Sequence, residues 1–171
     1  MRAFVAAEVT DRAARERIGA FQQSVGGAGK AVEPHNLHFT LRFLGEITEE
    51  SARAAADALN SVRFRPFDVA LRGAGSFGRP PRVVWAGTDP DGGQELSRLA
   101  GEVNGAVGGG ADKPFRPHLT ILRVKRGRSV DISGYDGYEW GVQHVDAIKL
   151  KRSVLGRDGP TYTDLAEVPA E

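Results

Sequence analysis

Residues 36–43 alternate without interruption: Leu37, Phe39, Leu41 and Phe43 fall on one side, and Asn36, His38, Thr40 and Arg42 on the other. A period of two is that of a half-buried strand, so this segment predicts one apolar face and one face carrying chemistry. His38 and Thr40 share the polar face. The fragment His38-Phe39-Thr40 returns later as His118-Leu119-Thr120, again inside a short apolar run. Each copy sends an imidazole and a hydroxyl the same way while the residue between them packs inward. Set side by side, two such strands give a pair of imidazoles that act as acid and base on either side of one phosphorus, the arrangement that opens a phosphodiester without a metal.

The remaining pattern supplies the frame. Residues 3–9 read as a strand, and Thr10 or Asp11 caps a helix with Ala14, Ile18 and Phe21 on one face, ended by the glycines at 26–29. Gly45 closes the first motif strand, and Thr48 begins a helix with Ala52, Ala55, Ala56, Leu59 and Val62 at helical spacing. Residues 66–72 and 82–87 read as strands joined by an irregular loop from Gly73 to Pro81. A helix over 93–107 and a Gly108-Gly109-Gly110 break lead to the second motif. Trp140–Val145 and Ala147–Val154 read as strands, and the chain closes in a turn from Gly156 to Pro160. This order predicts an α+β protein of two similar halves, each contributing one histidine strand: a single bilobal domain over residues 1–171, with antiparallel sheets and helices around a central cleft.

Composition narrows the functional classes. The 171 residues are 40% hydrophobic, enough for one well-buried core, and the formal charge of +1 provides no global field for non-specific nucleic-acid binding. The absence of cysteine removes disulfides, thiolate nucleophiles and cysteine-based metal sites. The run Phe4-Val5-Ala6-Ala7 is too short for the apolar core of a signal peptide, and no stretch reaches membrane-span length. These features predict a soluble cytoplasmic protein.

Each motif has a bland reading. A lone strand histidine usually satisfies a core hydrogen bond, but two copies of one pattern favour function. His35 falls off the alternation of His38 and reads as structural, and His144 reads as a surface or strand position. A metal would need three or four converging ligands, and no His-Glu-x-x-His or similar set exists, so no metal is expected. Gly26-Gly27-Ala28-Gly29-Lys30 fails the phosphate-loop fingerprint, since Ala31 stands where Ser or Thr is required. The arginines of Arg79-Pro80-Pro81-Arg82 and of Lys125-Arg126-Gly127-Arg128 either meet backbone phosphates or are simply solvated.

Taken together, these residues resemble the 2H phosphoesterase superfamily, and more closely its RNA 2′,3′-cyclic phosphodiesterase branch, historically called 2′-5′ RNA ligase. The similarity runs from the strand holding Phe4 through Val32 to Leu41 with Phe43-Leu44-Gly45, Phe77 to Trp85, and Phe115 to Arg123. It ends with Ser153-Val154-Leu155 and Gly159 to Tyr162. The resemblance implies His118 as the base that activates water and His38 as the acid that protonates the 3′ oxygen, leaving a 2′-phosphate. Thr40 and Thr120 would donate to the non-bridging oxygens. Arg123 would add positive charge, although strict alternation turns it away from His118 unless the strand bulges or ends.

Phe4, Phe77 and Tyr162 are candidates for stacking on a terminal base, and each is equally a candidate core residue. The expected partner is an RNA or oligonucleotide with a 2′,3′-cyclic phosphate end, with no cofactor, no membrane and a monomeric chain. Three alternatives stand beside hydrolysis: reversible 2′-5′ ligation of RNA halves, hydrolysis of a small cyclic nucleotide, and non-catalytic binding of RNA ends.

Overall fold

The computed structural model describes residues 1–110 and 113–171. The chain runs β1 (Arg2–Glu8), α1 (Arg12–Val25), β2 (Gly29–Ala31), β3 (His38–Glu46), α2 (Glu49–Leu59), β4 (Phe67–Phe77), β5 (Val83–Thr88) and α3 (Pro90–Val107). It finishes with β6 (Leu119–Val124), β7 (Glu139–Val145), β8 (Ala147–Gly156) and β9 (Gly159–Pro169). Two antiparallel sheets form, ordered β3-β1-β8-β9 and β2-β6-β5-β4-β7. The α+β class and the two antiparallel sheets are as expected.

The lobes are not successive halves of the chain. The first sheet joins the two ends of the sequence, while the second is built from the middle. α1 follows β1 of the first sheet yet packs on β7 and β6 of the second, and α3 follows β5 of the second yet contacts β3 of the first as well as β4. This exchange lets one apolar cluster draw on both sheets: Val5, Phe39 and Leu150 from the first, Leu71, Val84, Ile121 and Trp140 from the second, with Ile18, Leu96 and Leu99 from the helices.

The helix starts follow local chemistry. Asp11 is the cap of α1, its carboxylate accepting the Ala14 amide at 2.9 Å, and Thr48 accepts the Ser51 amide at the start of α2 at 3.0 Å. α3 begins at Pro90, three residues before the expected 93, because Asp89 caps it through the Gly92 amide at 3.2 Å and Pro90 suits the first helical position.

Two further corrections concern strands. The expected loop from Gly73 to Pro81 is strand as far as Phe77. Its glycines mark a register shift between Leu71 and Ala74, where Gly73 takes φ +73°, and the seat of an indole: a Cβ on Gly75 would lie 2.2 Å from the Trp85 ring. The turn at Gly156–Pro160 does not end the fold, since it opens β9, which runs back along the whole of β8.

Candidate active site

Both histidines line one cleft of about 860 Å³. β3 and β6 approach each other where the two sheets meet, and the cleft takes His38, Thr40 and Phe4 from one sheet and His118, Thr120 and Arg123 from the other. The imidazoles are held alike. His38 Nδ1 lies 2.6 Å from the Asn36 carbonyl oxygen, and His118 Nδ1 lies 2.7 Å from that of Arg116. A carbonyl only accepts, so each Nδ1 carries the proton and, in the neutral ring, each Nε2 is left with its lone pair. At His38 the Thr40 hydroxyl donates to Nε2 over 2.9 Å.

Their surroundings differ. Phe4 stacks on His38 with 4.9 Å between centroids, and Tyr162 meets the same imidazole edge-on at 5.4 Å. Burial drives the pKa of His38 down to about 4, helped by the charges of Lys151 and Arg123 and opposed by the Asn36 hydrogen bond and Glu8. His118 has one aromatic against it, Phe77, edge-on at 5.0 Å.

Strict alternation fails in both motif strands at the same step. On β3 the register with β1 passes from Ala6↔Thr40 to Val5↔Arg42, leaving Leu41 as an extra residue, and on β6 the register with β5 passes from Trp85↔Thr120 to Val84↔Leu122, leaving Ile121 extra. The bulge required for Arg123 to reach the cleft is therefore present, and Arg123 lines it. The same bulge corrects the reading of β3. Arg42 leaves the cleft face and turns to α3, where it donates to Asn104 Oδ1 at 2.7 Å and to the Gly108 carbonyl at 3.2 Å. Phe43, expected on the apolar face, is 73% exposed and lines the cleft.

The other candidates divide. Tyr162 lines the cleft, and burial raises its pKa, opposed by Arg123. Phe4 borders the cleft but is 4% exposed, with its ring taken up by His38. Phe77 packs between Trp85 and His118 and, with the exposed Arg79, stands outside the cleft lining. His35, read as structural, is exposed at the cleft wall. His144 is a surface strand residue paired with Asp68 at 2.7 Å. Asn36 forms a short 3-10 turn instead of opening the strand, and its amide donates to the Pro160 carbonyl at 3.1 Å, tying the approach to β3 to the β8–β9 turn.

Sequence reasoning missed Lys30, which β2 sets opposite Arg123 in register and which also lines the cleft. It also missed a ring of charges beside His38. Lys149 meets Glu8 at 2.6 Å and Asp164 at 2.9 Å, while Lys151, only 5% exposed, meets Glu8 at 3.1 Å and Asp164 at 2.6 Å. Burial works against the charge on both carboxyls, but the lysine hydrogen bonds hold Glu8 and Asp164 below the usual carboxylate range. The signal was faint, because the four residues are spread over three strands.

Comparison with known proteins gives the family. Residues 4–85 match the model of the LigT like Phosphoesterase family. The RNA 2′,3′-cyclic phosphodiesterase of Archaeoglobus fulgidus is 40% identical over 96% of this chain and 98% of its own, and that of Aeropyrum pernix is 39% identical over 90% and 95%. The crystal structure of E. coli LigT complexed with 3′-AMP superposes with a TM-score of 0.78 at 28% identity, covering 99% of this chain and 96% of that one. With two strands presenting the same histidine and threonine to one cleft, and relatives matching nearly end to end, the chain belongs to the LigT-like phosphoesterase family.

Proposed function

We propose that the protein is an RNA 2′,3′-cyclic phosphodiesterase that opens the ring to a 2′-phosphate with two histidines and no metal. The observation that carries this is the pair of imidazoles in one cleft, each tied by Nδ1 to a backbone carbonyl two residues back, which leaves the Nε2 atoms for proton transfer, that of His38 accepting from the Thr40 hydroxyl. Water attacks phosphorus in line with the departing 3′ oxygen. One Nε2 takes the proton of the water while the other, protonated, gives its proton to the 3′ oxygen. Thr40, Thr120 and Arg123 meet the charge that grows on the non-bridging oxygens.

Following the resemblance, His118 is the base and His38 the acid, and the anionic phosphate of the substrate raises the proton affinity that burial takes from His38. The pKa of about 4 favours a second reading, in which His38 enters neutral as the base and His118 is the acid. The remaining pH dependence of each single-histidine variant separates them, because the surviving limb belongs to the surviving group.

The single-domain organisation over residues 1–171, the monomeric state and the cytoplasmic location are parts of the same proposal. Among the described residues no helix is long and apolar enough to cross a membrane. The deciding experiment incubates the protein in EDTA with a short RNA ending in a 2′,3′-cyclic phosphate and resolves 2′- from 3′-phosphate products, beside His38→Ala and His118→Ala. Conversion to the 2′-phosphate that both variants lose is the expected result. Binding without turnover would instead make the protein an RNA-end binder, and neither binding nor turnover would point to a small cyclic nucleotide.

A further inference from the structure

One end of the second sheet gathers cations that have no carboxylate beside them. β2 begins at Gly29, β5 begins at Val83 and β6 ends at Val124. These ends lie together: Lys30 and Val83 flank Arg123 in register, the Val124 amide donates to the Arg82 carbonyl at 2.8 Å, and the Lys125 amide donates to the Ala28 carbonyl at 2.9 Å. The basic stretches Arg79-Pro80-Pro81-Arg82 and Lys125-Arg126-Gly127-Arg128 are thereby set side by side, next to Arg123 and Lys30 of the cleft. Segments 26–32, 77–83 and 123–130 hold seven of the 23 lysines and arginines and none of the 22 acidic residues, so a chain of formal charge +1 is strongly positive here. All seven are exposed and none lies within ion-pair distance of a described carboxylate, whereas Arg12 and Arg98 on the helices pair with Glu16 and Glu95. Charges of one sign gathered on a surface repel one another and add nothing to the fold, while a strand of phosphates laid over them is bound with release of its counterions.

The cleft says which occupant. Arg123 and Lys30 belong to both the cleft and the patch, so an anion continuous with the reacting phosphate passes from one onto the other. Lys125 follows Arg123 by two residues, roughly 7 Å at about 3.3 Å per residue, and an extended chain turns both the same way. A free cyclic nucleotide has a single phosphate, which the cleft takes up, and leaves these charges bare. A strand brings further phosphates to them. We infer that this sheet end is the track for the RNA strand on the 5′ side of the reacting nucleotide, held through its backbone phosphates. This rests on the proposed phosphodiesterase reading and adds the class of substrate: a strand in preference to a free cyclic nucleotide, with no choice of sequence, because phosphate contacts position without specifying.

The test compares adenosine 2′,3′-cyclic phosphate with a twelve-nucleotide RNA ending in the same group, in the wild type and in the triple variant Arg82→Gln, Arg126→Gln, Arg128→Gln. The wild type is expected to prefer the RNA in kcat/KM by about tenfold or more at low salt, and the triple variant to lose most of that preference while turning over the mononucleotide as before. On the RNA, the fall of log kcat/KM with log salt should become shallower by about 2, at about 0.7 for each single-strand phosphate contact removed. A second triple variant, Arg12→Gln, Arg53→Gln, Arg98→Gln, removes the same charge from the helices and should keep the preference. No preference in the wild type, a preference that survives in the first variant, or an equal loss in both variants would overturn the inference. If neither substrate is turned over, the hydrolytic reading fails separately, and the track is judged by fluorescence anisotropy of a labelled twelve-nucleotide RNA ending in a 2′-phosphate. Binding weakened about tenfold in the first variant alone supports it, and equal binding in all three proteins sinks it.

Discussion

Five residues beyond its histidine, β3 presents Phe43 to the cleft and β6 presents Arg123. Up to that point the two strands follow one plan, with Nδ1 bonded to the carbonyl two residues back, a threonine two residues on and a bulge at the third. The differences come from what each strand packs against. β3 borders β1, so His38 lies on Phe4, faces Tyr162 and feels the charge of Lys151 on β8, whereas β6 borders β5 and β2, so His118 meets Phe77 and Arg123 stands beside Lys30. A local repeat orients the two imidazoles alike, and the neighbouring strands lower the proton affinity of His38 and divide the cleft into an apolar and a cationic side.

If the two strands are equivalent in chemistry, His38→Ala and His118→Ala should each lower kcat by about 10²- to 10⁴-fold or more with the melting temperature and circular dichroism preserved. The double variant should then fall well short of the product of the two losses, because the pair acts as a unit. A loss confined to one histidine would break the symmetry.

The next effect probes the position at which the strands diverge. Arg123→Ala should cost roughly 10²-fold in kcat with a smaller change in KM, the signature of charge met mainly in the transition state. Steady-state kinetics on a cyclic-phosphate RNA would show it, and a pure KM effect would demote Arg123 to ground-state binding.

Lys151→Met tests the charged ring beside His38. It leaves Glu8 and Asp164 with one lysine and should destabilise the fold by about 1–2 kcal/mol, below the usual cost of breaking a buried pair because both carboxylates are partly exposed. Removing that cation should also raise the pKa of His38, followed by NMR titration of the imidazole. No movement of the His38 resonance would show that burial alone sets it.

The last effect is on stability against pH. His38 titrates near 4 in the fold against an ordinary 6.5, so the unfolded chain binds its proton first on acidification. The stability linked to this group is therefore fully present above about pH 6.5 and is lost as the pH falls toward 4. His38→Asn should make the decline in melting temperature over that window shallower, while the corresponding change at His118 provides the comparison.

Much of this was legible in residues 36–43 and 118–120. The alternation there specified strands, and the repeated His-x-Thr specified which side chains share a face, because both are properties of a period of two that the backbone imposes locally. The helix caps at Asp11 and Thr48 were legible for the same reason. Bulges interrupt that period. For Arg123 the sequence left a bulge or a strand end open, and applying the bulge to the matching offset on β3 would also have moved Arg42 out of the cleft and Phe43 into it. The glycines of β4 misled because a residue without a side chain marks a turn and an indole's seat with the same letter, and Trp85 is distant in sequence.

The sequence by itself determined the two motif strands, the three long helices and the family of the chain, since local period, capping and motif spacing are written within a few residues. Only the tertiary structure decided how the ends of the chain combine into one sheet and the middle into another, which faces the bulges turn, and how strongly His38 holds a proton. Those depend on burial and on charges from β1, β8 and β9, groups that become neighbours only when hydrophobic collapse brings distant strands together.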